Sequence, residues 1–108
     1  MDTIWEYIKG KKHIQIDINS IYYIELQLHR IFIHLSDNII ELYEQNFTKI
    51  TNKYTNIGLI KINRGLLVNP SSIVSISKLE ITLIDGTVLH ASRNYKKNIK
   101  NIIESKYE

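Results

Sequence analysis

The chain has no cysteine, a single proline at position 70 and only four glycines among 108 residues. Without cysteine there is no disulfide framework and no Cys-ligated zinc or iron–sulfur site. A reducing cytoplasm is the compartment such a chain fits. No Gly-rich phosphate loop is present, and no internal repeat, linker or low-complexity tract. The longest apolar runs are only a few residues, so no segment reads as a membrane span. The opening stretch, MDTIWEYIKGKKH, lacks the charged head, apolar stretch and small-residue cleavage site of a signal peptide. Neither sign of charge dominates: Lys+Arg 14 against Asp+Glu 11 leaves a formal net charge of +3, compatible with a polyanionic partner without requiring one. The positive charge is unevenly spread. RNYKKNIK, from Arg93 to Lys100, carries four cations and no anion.

With 44% hydrophobic and 23% charged residues, the chain has the balance of an ordinary globular protein, and its length fits one domain spanning 1–108. In IYYIELQ (21–27) and RIFIHLS (30–36), Ile24 and Leu26, then Ile31, Ile33 and Leu35, recur every second position. That is the period of a half-buried strand. Ser36-Asp37-Asn38 is turn chemistry and predicts a hairpin into IIELYE; Asp85-Gly86 predicts a second within LEITLIDGTVLHAS. Two segments change period. Phe47, Ile50, Tyr54 and Ile57 recur at three and four residues, with Asn46 placed to cap and Gly58 to terminate. After Ser92, another cap candidate, Tyr95, Ile99, Ile102 and Ile103 form one stripe, with Lys96, Lys97 and Lys100 away from it. The expectation is a mainly β fold, a compact antiparallel β-sheet domain with strands mainly within 4–45 and 59–92, an inserted helix over about 46–56 and a C-terminal helix over about 93–105.

No catalytic constellation assembles. His13, His29, His34 and His90 are too scattered for a zinc motif, and His29 and His34, an odd number of residues apart, would point to opposite faces of one strand. Asp37 and Asp85 occupy turn positions that local hydrogen bonding explains. No enzyme, metal, cofactor or small-molecule substrate is expected. Lys11 and Lys12 read as a solvated hairpin turn, and Trp5, Tyr22 and Tyr23 as strand or packing residues. The informative stretch is LIKINRGLLVNPSSI (59–73). Its alternating strand breaks at Asn63-Arg64-Gly65, returns as the apolar triplet Leu66-Leu67-Val68, and turns again where Asn69 is held extended by Pro70. A rigid framework thus presents Arg64 on a turn. His29-Arg30 and Arg93-Asn94 offer similar groups at other turns or strand ends.

In this order, IYYIE, LHRIFIHLSDN, the helix from Phe47, LIKINRGLLVNPSSI and LIDGTVLHASRNYKK, the chain resembles the LytTR-type DNA-binding domain, the output module of the LytR/AlgR class of bacterial transcription regulators. LLVN and DGTVLHASRNYKK are the specific parts. The resemblance implies sequence-specific double-stranded DNA binding in transcription regulation, by loops inserted into successive major grooves of a bent promoter duplex. It also implies His29, Arg64 and Arg93 as base readers. An arginine fork can donate two hydrogen bonds to guanine O6 and N7, whereas histidine offers one. Arg30, Asn63, Gly65, Asn94, Lys96 and Lys97 would contact the DNA backbone and fix register. The family turn often begins with His and ends with Ser, where this chain has Asn63 and Gly65. Repeated half-sites bound by two copies are expected, by either a one-domain regulator or the output module of a longer one. The rival reading is a protein-interaction module of the same fold that binds a partner regulator.

Overall fold

Two hydrophobic periods, one of strands and one of helices, partition the described residues into ten strands and two α-helices. The computed structural model describes the backbone of residues 4–9, 12–43 and 47–107, and side chains over 16–43 and 48–106. The strands are β1 Ile4–Lys9, β2 Lys12–Asp17, β3 Ile21–Gln27, β4 Arg30–Leu35, β5 Ile39–Tyr43, β6 Ile60–Asn63, β7 Leu66–Val68, β8 Ile73–Ser77, β9 Glu80–Leu83 and β10 Val88–His90. Helix α1, Phe47–Asn56, is inserted between β5 and β6, and α2, Lys96–Tyr107, closes the chain. The strands form a five-stranded sheet ordered β5-β4-β3-β7-β6, a three-stranded sheet β10-β9-β8 and the β1-β2 pair. Every pairing is antiparallel. The fold is mainly β, as expected.

The five-stranded sheet is buried on both faces. On one side Ile24, Ile31, Ile33 and Leu67 pack with Ile50 and Tyr54 of α1. On the other, Ile62 and Val68 pack with Ile81, Leu83 and Leu89 of the smaller sheet and with Ile99 and Ile102 of α2. A register shift between Ile21 and Tyr23 lets Tyr22 and Tyr23 both join the second cluster, because a bulge breaks strict alternation. Tyr23 stacks on the His34 ring at 4.0 Å between centroids. Burial, with the nearby carboxylates of Glu25 and Asp85, raises the Tyr23 phenol above its ordinary value, so it stays neutral.

Both expected turns form. Leu35 N–H donates to Asn38 O at 2.8 Å to close β4 onto β5. At the β9–β10 turn Gly86 takes φ +91°, a region open to glycine. There Asp85 Oδ1 accepts the Thr87 N–H at 3.0 Å, which holds the carboxyl below its usual range. Gly58, at φ +106°, ends α1 as the sequence suggested; Asn46, its proposed cap, and Gly10 and Lys11 of the first hairpin lie outside the described residues, as does the Trp5 side chain. In α2, Ile99 and Ile102 are buried, but Ile103 remains 40% exposed. This corrects the expected stripe: successive residues on a helix are rotated by about 100°, and the contact that buries Ile102 turns Ile103 to the rim. Ser92 Oγ accepts from Asn94 N–H, but it caps a single 3-10 turn, Arg93–Tyr95, from which α2 continues. Among the described residues no helix is long and apolar enough to cross a membrane.

The exit of β7 is fastened by Asn69. Its extended backbone, φ −85° and ψ 116°, is the one a residue before proline favours. Its buried side chain donates from Nδ2 to Ile21 O at 2.9 Å, and its Oδ1 accepts the Ser71 hydroxyl at 2.9 Å and the Ser71 N–H at 3.2 Å. Replacing it strands a buried carbonyl and two donors. Asn69→Ala is therefore expected to lose about 1–3 kcal/mol of stability, read as a lower urea midpoint at unchanged slope; an unshifted midpoint would remove Asn69 from this role.

Candidate nucleic-acid interface

Three turns converge on one end of the five-stranded sheet. The first is Leu28-His29, which joins β3 to β4 beyond the closing pair Gln27↔Arg30. The second is Arg64-Gly65, which joins β6 to β7. Since β7 runs antiparallel to β3, with Glu25 opposite Leu66, the two turns emerge at the same end. Leu26 N–H donates to Gly65 O at 2.8 Å and locks them together. With the order β4-β3-β7-β6, the turns are two strand spacings apart, about 10 Å. The third segment, after β10, is tied to the other side of β6: Ser92 N–H donates to Ile62 O at 2.9 Å, and Asn63 Nδ2 donates to His90 O at 2.8 Å. Arg93 follows directly. His29, Arg64 and Arg93 are all exposed and stand along one continuous, hydrogen-bonded edge.

The flanking residues differ in what they have left to give. Asn63 Oδ1 accepts the Gly65 N–H at 2.8 Å, so this amide spans its own turn while its Nδ2 holds the Arg93 segment. The Gly65 N–H is consequently engaged within the turn. Its glycine has a separate cause: a Cβ there would lie 2.9 Å from Leu26 O, closer than real contacts allow. His29 sits at φ +56°, with its ring 6.1 Å from that of Tyr43. Arg30 pairs with Glu41 at 3.3 Å, both largely exposed, a contact that solvent screens and that a phosphate can outcompete. Asn94, Lys96 and Lys97 are exposed. Asn98 Nδ2 donates to Lys61 O at 2.8 Å and Lys106 Nζ to Pro70 O at 2.8 Å, which fixes α2, and with it the lysines, against the sheet.

Cations the sequence did not single out join this edge. Lys61 lies with Arg64, Leu28, Thr51 and Asn52 around a groove of about 740 Å³ between α1 and the two turns, and its Nζ is 5.9 Å from the Tyr95 ring centroid. A second groove of about 740 Å³ is rimmed by Lys78, Arg93, Lys96 and Lys100 over Ile99 and Ile103. Lys78 holds φ +56° in the β8–β9 turn. The only sequence signal for these was charge near a turn, which does not single out an edge. Among the described residues no group of three His, Asp or Glu side chains could hold a metal ion.

The LytTr DNA-binding domain family model matches residues 11–104. No curated protein matches the chain. Among solved structures, the LytTr DNA-binding domain of a Bacillus cereus protein described as a methyl-accepting/DNA response regulator superimposes with a TM-score of 0.73. That match covers 95% of this chain and 98% of that one at 11% identity, a likeness of fold.

The tight approach at Gly65 generates a direct expectation. Gly65→Ala forces the Leu26 carbonyl or the turn to move and should lose about 1–3 kcal/mol of stability. Chemical denaturation measures it, and full retention of stability would show that the two turns are not locked together.

Proposed function

The chain belongs to the LytTr DNA-binding domain family, and from that membership in a family of transcription-regulating DNA-binding domains we propose that it reads promoter duplex with turns inserted into successive major grooves. The observation that carries this reading is the row of three exposed side chains, His29, Arg64 and Arg93, on turns joined by Leu26 to Gly65 and by Asn63 to His90. Arg64 and Arg93 each bring a planar fork suited to guanine O6 and N7, and His29 brings a single donor or acceptor. Arg30, Asn94, Lys96 and Lys97 lie beside them to bind phosphate and set register. Asn63 and Gly65 act chiefly by shaping the turn, since the Gly65 N–H is committed to Asn63; one N–H of the Asn63 amide is left for a phosphate.

Two copies on repeated half-sites would extend the same contacts. The Bacillus cereus relative is described as a response regulator, and an output role in a regulator of that kind is the cellular setting proposed here.

Selection from a random-sequence duplex pool should enrich one site; no enrichment at low salt would favour binding to a protein partner instead. On the enriched site Arg64→Ala should cost about 1–3 kcal/mol and relax preference at one base. Lys96→Ala should weaken specific and random duplexes alike and reduce the log–log salt slope by about one. Equal loss on specific and random duplex for Arg64→Ala would remove it from the base readers.

A further inference from the structure

We propose that Leu28 is a further specificity-determining residue, packing on the C5 methyl group of a thymine beside the base that Arg64 contacts; this rests on the major-groove reading above. Leu28 is 82% exposed, more than any other large hydrophobic side chain among the described residues. It stands at a hairpin tip, a place where glycine, asparagine and aspartate satisfy the backbone at least cost. Here the tip is Leu28-His29, with the positive φ, +56°, at His29, a conformation uncommon outside glycine although histidine adopts it more often than most. The fold therefore holds a bulky apolar group out in water on a turn that small polar residues would make more readily. Conformations of this kind persist where surrounding structure over-determines them, and this turn is buttressed through Leu26 by Gly65.

Position decides what Leu28 meets. It lines the same groove as Arg64 and Lys61, so whatever Arg64 grips lies against it. Leucine has no donor or acceptor and cannot read the hydrogen-bonding edge of a base. The thymine methyl is the apolar group that base pairs display in the major groove. Burying that methyl against the leucine removes both from water, and the gain vanishes if either is missing.

The test uses the enriched duplex and one with each thymine in turn replaced by deoxyuridine, which lacks only the C5 methyl. Binding is read by fluorescence anisotropy at fixed salt. For the unsubstituted protein one such replacement per half-site should weaken binding about fourfold, the value of one buried methyl-sized group. Leu28→Ala should lose a similar factor on the thymine duplex and be indifferent to uracil at that position, so the two changes do not add. Leu28→Met, which keeps an apolar tip, should retain the discrimination. Thermal unfolding of both variants should match the parent, since the side chain contributes little to the core.

Uracil penalties that are the same with and without the leucine would overturn the assignment. So would unchanged affinity of Leu28→Ala for the thymine duplex, or an effect of that variant on sedimentation mass alone, which would mark Leu28 as a contact between protein chains. A parent protein that enriches no site would overturn the DNA reading and Leu28 with it. A parent that enriches a site but shows no coupling overturns Leu28 only.

Discussion

The architecture turns on a strand of three residues. β7, Leu66–Val68, lies inside the five-stranded sheet between β3 and β6 and must fill a core on each side. Leu67 and Val68 are both fully buried, one among residues that pack on α1 and the other among residues that pack on the smaller sheet and α2. Because adjacent strand residues face opposite ways, a slip of one residue would exchange the two cores. The register is held at both ends, by Asn63 and Gly65 before the strand and by Asn69 after it. The turn that carries Arg64 and the turn at Pro70 are therefore the two ends of one constrained segment.

That constraint also fixes the turns at one end of the five-stranded sheet. Hairpin tips are ordinarily the mobile parts of a sheet. In this chain the tips are held across strands by backbone and amide hydrogen bonds: Leu26 to Gly65, Asn63 to His90 and Ser92 to Ile62. Groups so held lose less entropy on binding, which favours affinity. α2 is pinned through Asn98 and Lys106 and sets Lys96 and Lys100 around one groove with Arg93. Lys61 with Arg64, and Lys78, Lys96 and Lys100 with Arg93, thus line two grooves of a scaffold whose net charge is only +3, and their placement matters more than their number.

On the proposed reading, specificity and affinity are divided among residue types on this surface. Exposed lysines and the screened Arg30–Glu41 pair suit phosphate, whose attraction does not depend on sequence. The turn residues carry the chemistry able to distinguish bases: two planar forks, one imidazole and one exposed leucine. Gly65 shows that a residue can matter at such a site without touching a ligand, since its lack of a side chain is what lets β3 and the Arg64 turn approach.

The sequence by itself determined the local structure: Ile24, Ile31 and Ile33 marked strands by alternation, Ile50 and Tyr54 marked a helix by spacing, and Asp85-Gly86 and Gly58 marked turns by backbone chemistry. It also carried the family resemblance, in LLVN and DGTVLHASRNYKK. These are short-range properties, written in neighbouring residues. Tertiary structure alone decided that Ile103 stays at the rim, that the Gly65 amide closes onto Asn63, and that Lys61 and Lys78 join the basic edge. It alone placed the His29, Arg64 and Arg93 turns side by side, because that neighbourhood depends on β7 pairing with β3 about forty positions earlier in the chain, and local periodicity contains no record of which distant strand a segment will choose.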